Sequence, residues 1–141
     1  MKRSLATAVV GPMILLRENA KTPTERDWDD FLTILRSHRG NHERVRILVV
    51  TDGGGPNSGQ RKRLEQALGG QSFRVSVVTD SAKVRFIVSS IALLNRDIKT
   101  FSKNELDSAF EHLRLDFPDR ERAKKEIDFL NLEIDPALGL D

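Results

Sequence analysis

"RVRILVVTDGGGPNSGQRKRLEQAL", residues 44–68, is the stretch whose reading decides the fold. Arg44 to Val50 is short, apolar and β-branched, which reads as a strand, and Gln60 to Leu68 places Leu64 and Leu68 on one side of a short helix. Between them Gly53, Gly54 and Gly55 give the backbone access to positive φ, and Asn57 or Ser58 then stands where a helix cap is needed. Asn57 and Gln60 have capping-box spacing. The stretch is therefore a strand, a turn and a helix.

The same unit recurs on both sides. Upstream, "LATAVV" (5–10) and "MILLRE" (13–18) read as two strands joined at Gly11-Pro12. A helix follows, with Trp28, Phe31, Leu32 and Leu35 on one face. In "TPTE" (22–25) Thr22 can cap it, Pro23 fits the first helical position and Glu25 can return a bond; Gly40 ends it. Downstream, "FRVSVV" (73–78) is a strand and Asp80 a candidate cap. "AKVRFIVSSIALLN" (82–95) is then a helix striped by Val84, Ile87, Ile91 and Leu94. "DIKTF" (97–101) reads as an edge strand, and Ser102 with Glu105 as a capping box opening a helix that turns Leu106, Phe110 and Leu113 inward.

A strand pair followed by successive β-α units predicts an α/β domain with a mixed, mostly parallel sheet, because parallel neighbours require crossover connections. Arg44, Arg46, Arg74, Ser76 and Lys99 interrupt the strands with polar residues, so one sheet face is expected to be only partly covered. From Asp116 the composition becomes highly charged. Residues 1–115 are read as the domain and 116–141 as a C-terminal helical extension, starting at Asp116 and Pro118 and striped by Ile127, Leu130 and Leu132. Such an extension can cover the open sheet face, or dock on a partner or a second copy as in a homodimer.

Composition narrows the classes of function. The chain has 141 residues, no cysteine and a formal net charge of +2. Without cysteine there is no disulfide framework and no thiolate nucleophile or ligand, which fits a cytoplasmic location. The basic, apolar start is broken by Gly11-Pro12 and reads as a hairpin and not a signal peptide, and no apolar run is long enough for membrane insertion. The charge is too balanced, and the basic clusters too poor in aromatics, to predict nucleic-acid binding.

The glycine loop invites a phosphate-binding reading and fails it. Gly54 and Gly59 have P-loop spacing, but Gln60 and Arg61 stand where Lys and a hydroxyl are required. Gly53, Gly55 and Gly59 miss the dinucleotide fingerprint by one position, and Pro56 removes an amide. No nucleophile elbow surrounds any serine, His38 and His42 lack a carboxylate ligand nearby, and Asp52 at a strand end has no catalytic companion. No enzyme activity, metal or cofactor is predicted. What remains for the loop is a turn, a cap and a recognition surface, in which a phosphate on Ser58 would meet free helix amides.

The order of elements, and above all "FRVSVVTDSAKVRFIVSSIALLNRDIKTFSKNELDSAFEHL" (73–113), resembles the STAS domains, in particular the stand-alone SpoIIAA-like proteins related to anti-sigma-factor antagonists. The likeness spans about residues 5–114. It implies a sheet built by successive β-α turns with a hairpin partner at the start, and a regulatory, signalling role. Regulatory members carry Asp-Ser-Ser/Thr-Gly before the helix that follows the central strand, and a kinase phosphorylates a serine there. Here that place reads "PNSGQ" (56–60), so only Ser58 carries over as a phosphoacceptor, with Pro56 and Asn57 departing from the motif. Some relatives resemble small lipid-binding domains of the Sec14 type, so the resemblance also implies an apolar ligand as an alternative.

Three functions are therefore expected. The first is a non-enzymatic module that binds another protein through Asp52, Gly53, Gly54, Gly55, Asn57, Ser58, Arg61 and Lys62. The second is a domain that holds a small apolar ligand or lipid between sheet and helices. The third is a homo-oligomeric scaffold using the C-terminal extension.

Overall fold

A computed structural model describes residues 2–136. Strands β1 (Leu5–Val10), β2 (Met13–Glu18), β3 (Arg46–Thr51), β4 (Arg74–Val78) and β5 (Ile98–Phe101) form one five-stranded sheet in the order of the sequence. β1 pairs antiparallel with β2, and every other pairing is parallel. Gly11 makes the β1–β2 turn at φ +57°, and β5 is the far edge, as expected. The parallel strands alternate with helices α1 (Glu25–Ser37), α2 (Ser58–Leu68) and α3 (Ala82–Ile91), and α4 (Leu106–His112) and α5 (Phe117–Glu133) close the chain.

Two apolar layers sandwich the sheet. Ile14 and Leu16, Ile47, and Val75 and Val77 point to one side, where they meet Trp28, Phe31, Leu32 and Leu35 of α1, Ala67 and Leu68 of α2, and Val84 and Val88 of α3. The alternate residues Met13, Leu15, Leu48 and Val78 meet Ala109, Phe110 and Leu113 of α4 and Ala123 and Leu130 of α5. Period-two alternation assigns each strand residue to one layer, so the sheet is apolar on both faces.

The expected half-open face is therefore largely covered by α4 and α5: Arg44, before β3, and Lys99, on the edge strand, stay exposed, but Arg46, Arg74 and Ser76 have a different use. Arg46 Nε donates to Leu113 O at 2.8 Å, Arg74 NH1 to His112 O at 3.1 Å, and Ser76 Oγ to Ala109 O at 2.8 Å. The His112 and Leu113 carbonyls lie at the C-terminal end of α4, where backbone acceptors lack helical donors and cations are favoured, while Ala109 O also accepts from Leu113 N. The second layer is completed by α5, whose end Ile134 bridges to Arg3. Leu132, expected inside, is exposed, while Ile127 and Leu130 do pack inward.

Several caps differ from expectation by a residue or two. Thr24, not Thr22, caps α1, accepting from Asp27 N at 3.1 Å. The Asp27 carboxylate reaches away to Ser4 N and Ser4 Oγ, fastening β1 to α1. Burial pushes Asp27 up, but those bonds, Leu5 N and the Arg3 charge outweigh it and hold the carboxyl below its ordinary range. Ser81, not Asp80, caps α3, and Asp80 accepts from Lys103 N. α3 stops at Ile91, short of the expected Asn95, and leaves Leu94 exposed. Ser102 and Glu105 bond each other, but α4 starts only after them at Leu106. Asp116 caps α5 with Pro118 in its first turn, as read from the sequence.

Candidate functional site

The glycine loop joins the end of β3 to α2 and does so by packing, not by projecting. Gly53 alone of the three glycines has positive φ, at +136°. Gly54 is buried, and its N–H donates to Asn19 O at 2.9 Å. A Cβ there would lie 2.1 Å from Lys21 O and 2.6 Å from Asn19 O, so only glycine permits this approach. Gly55 is also buried, with Ile87 Cδ1 3.2 Å from where its Cβ would be. Thr51 Oγ1 ties the turn together, donating to Gly54 O and accepting from Gly53 N.

Beyond the turn the expected capping box is complete: Asn57 Oδ1 accepts from Gln60 N at 2.8 Å, and Gln60 Oε1 from Asn57 N at 3.0 Å. Gln60 is buried, and its Nε2 donates to Pro23 O while its carbonyl accepts from Trp28 Nε1. Arg63 pairs with Glu25 and Asp29. The start of α2 is thus fastened to α1.

The loop's outer residues are separate from this packing. Asp52, Asn57, Ser58 and Lys62 are exposed, and Arg61 is half-buried, donating to Pro56 O. Asp52 pairs with Arg17 at 3.0 Å and Lys103 at 2.8 Å. Burial raises its pKa, but the bonds and charges of Lys103 and Arg17 prevail and hold it below the ordinary range. Of the residues read as one binding surface, Gly54 and Gly55 face inward while Asp52, Asn57, Ser58 and Lys62 face out. Among the histidines, His42 packs against Phe73 and His112 bonds Asp97 O.

Beneath the loop lies a cavity of about 90 Å³ between the sheet and α1–α3. Leu16 and Ile47 form part of its floor, Trp28 and Phe31 one wall, Ile87 and Ile91 another, and Gly54 and Gly55 its roof. Its lining runs the length of the parallel strands, from Ile47, Phe73 and Ile98 at their amino ends to Glu18 and Thr51 at their carboxyl ends. A groove of about 230 Å³ runs between α2 and α3, lined by Ser58, Arg61, Lys62 and Ser90, and shares Leu64, Leu68 and Ile91 with the cavity. Those three side chains form a common wall.

One acidic group enters this apolar space. Glu18, the last residue of β2, is 4% exposed and lines the cavity, and its Oε2 has no hydrogen-bond partner among the described residues. Burial drives its pKa up to about 8, against a weaker opposing pull from Arg17. Arg17 itself is engaged with Asn131 and Asp52. Two other polar lining groups are held by the fold: Thr51 Oγ1 within the turn, and Asn95 Oδ1, which accepts from Phe73 N at 2.6 Å. Glu18 and Asn95 were not anticipated from sequence as site residues. For Glu18 the available signal was parity, since it follows Ile14 and Leu16 onto the α1–α3 side of the sheet.

Among the described residues no helix is long and apolar enough to cross a membrane. No family model, curated protein or solved structure matches the chain.

Proposed function

We propose that this chain is a non-enzymatic, STAS-like module that binds a small, mainly apolar ligand between its sheet and helices α1–α3. The observation that carries this reading is the cavity beneath the Gly54-Gly55 roof, with an unpaired carboxyl inside it. A void of about 90 Å³ costs the fold about 2 kcal/mol at ~24 cal/mol per Å³. A carboxyl held to about pKa 8 costs roughly 3 kcal/mol more at neutral pH. Two destabilising features in one place are the mark of a site kept for something other than stability.

The groove between α2 and α3 supplies the access route. The first turn of α2 is bound to α1, so its seam with α3, closed by Leu64, Leu68 and Ile91, is the side on which the cavity can open. The cavity alone is smaller than the ~300 Å³ lower bound of ordinary ligand pockets, so a ligand larger than a few heavy atoms requires this wall to open onto the groove. Binding of xenon, followed by its NMR shift and by chemical-shift changes at Leu64, Ile87 and Ile91, tests the cavity directly. Native mass spectrometry of the purified chain tests for a retained ligand. Absence of both xenon binding and a retained mass removes this reading.

A second reading is favoured by the exposed start of α2. The capping box leaves Asn57 and Ser58 on the surface beside Lys62, a rigid patch able to meet another protein, in the manner of the STAS resemblance. A phosphate on Ser58 would add about −1.5 to −2 charges there and change its partners. Identical partners captured by the wild type and by Ser58→Asp would exclude the patch. Either activity is compatible with a cytoplasmic protein.

A further inference from the structure

We propose that Glu18 selects the ligand, and that the ligand is a small uncharged molecule with an apolar body and one oxygen that accepts the Glu18 proton. This rests on the cavity reading above and specifies its chemistry. Several other polar groups at the cavity wall are engaged: Thr51 Oγ1 donates to Gly54 O, Trp28 Nε1 to Gln60 O, and Asn95 Oδ1 accepts from Phe73 N. Glu18 Oε2 has no such bond. A ligand therefore meets a mainly apolar surface on which the buried, unpartnered Glu18 carboxyl is a polar contact, and is itself mainly apolar with a polar group to match it.

Charge decides which polar group that is. The charged neighbour acting on Glu18 is Arg17, whose guanidinium is held by Asp52 and Asn131, so burial prevails and the carboxyl keeps its proton at neutral pH. A protonated carboxyl offers one O–H donor. An ammonium ligand needs three acceptors and would bury a charge beside groups already engaged, and an anion would bury its charge beside no free cation. A ketone, amide or alcohol oxygen accepts the Glu18 proton and brings no charge with it.

Cyclopentane, cyclopentanone and cyclopentylamine share a ring and differ in that one group, so they separate the alternatives. With the full chain at pH 6.5, titrations followed by NMR are expected to show cyclopentanone binding about tenfold more tightly than cyclopentane, the increment of one buried hydrogen bond. Cyclopentylamine is expected to bind more weakly than either. As pH rises past about 8 the ketone's advantage disappears in the wild type, because the donor proton is gone. Glu18→Gln, whose amide donates at every pH, retains the advantage at pH 9, and Glu18→Leu loses it throughout.

Failure of xenon and cyclopentane to bind would overturn the cavity reading itself. Binding of cyclopentane with no preference for the ketone, or a preference that Glu18→Leu leaves intact, would overturn the role of Glu18 alone. Tightest binding of cyclopentylamine would assign the site to amines and refute the proposal, as would a water on Glu18 that the ketone does not displace. Should Glu18→Leu fail to fold, the contrast between wild type and Glu18→Gln at pH 9 decides the matter.

Discussion

Replacing Glu18 by Gln should change how stability depends on pH more than any contact it makes. The native carboxyl titrates at about 8 and an unperturbed one at 4.5. Between those values the folded chain holds a proton that the unfolded chain has released. Stability is therefore fully present below about pH 4.5 and falls as pH rises, levelling off above about 8. At ~1.4 kcal/mol per pH unit the loss is roughly 3 kcal/mol at pH 7 and roughly 5 kcal/mol by pH 9. Gln has nearly the same shape, stays neutral and has no such dependence. Urea unfolding at pH 5, 7 and 9 should show the two proteins nearly equal at pH 5 and diverging steadily above it, with the variant the more stable. The depressed carboxyls Asp27 and Asp52 act in the opposite direction: their contribution is present above about pH 3.8 and lost on acidification. That loss is common to both proteins and cancels from the difference. Parallel profiles from pH 5 to 9 would refute the reasoning, since they would mean that Glu18 is solvated in the native state.

Four further outcomes test the packing that positions the site. Gly54→Ala should destabilise by roughly 3 kcal/mol or more, because its methyl group would meet the backbone of Lys21 and Asn19, whereas Gly59→Ala meets nothing closer than 3.6 Å and should be neutral or stabilising by up to about 1 kcal/mol. Thermal unfolding of the two variants side by side distinguishes a close approach from mere loop flexibility. Asn57→Ala removes half of the capping box and should cost about 1 kcal/mol in the same assay. Asn95→Leu leaves the buried Phe73 N–H without its acceptor, for a cost of about 1–3 kcal/mol, and should speed amide exchange at Phe73. A chain ending at Leu115 should be less soluble and unfold at lower urea than the full chain, because Ala6, Met13 and Leu15 lose their cover from Ala123 and Leu130; equal stability would show that α5 is dispensable.

The architecture was legible because its signals are local. Alternating strand and helix periods, Gly11-Pro12 at the hairpin, the Asn57–Gln60 box and Asp116 before Pro118 all act within a few residues. Errors of a residue or two at Thr24 and Ser81 arose where neighbouring polar residues competed for one cap and tertiary contacts chose between them. Asp27 bonds β1, and Asp80 bonds Lys103. The polar residues in β3 and β4 suggest a partly covered face because nothing nearby in sequence reveals that the end of α4 needs donors. Arg46 and Arg74 find those carbonyls 67 and 38 residues away. The cavity was legible only as a possibility: a void is the difference between large packed volumes, and no local period encodes it.

The glycine loop connects these levels. Its resemblance to a phosphate loop rests on glycine count, yet the physical demand on Gly54 comes from the backbone of residues 19–21, which it approaches too closely for any side chain. Those residues directly follow Glu18, so the contact that requires glycine also fixes the chain leaving the end of β2 and, with it, the carboxyl in the cavity. The same turn hands the backbone to α2, whose Leu64 and Leu68 help close the wall toward the groove. A side chain at position 54 should therefore disturb the roof, the carboxyl and the wall together. In Gly54→Ala the pKa of Glu18, followed by carboxyl carbon NMR, should fall toward 4.5 as water gains access. Unchanged titration in a variant that still folds would mean that roof and carboxyl are independent, and that the loop serves α2 alone.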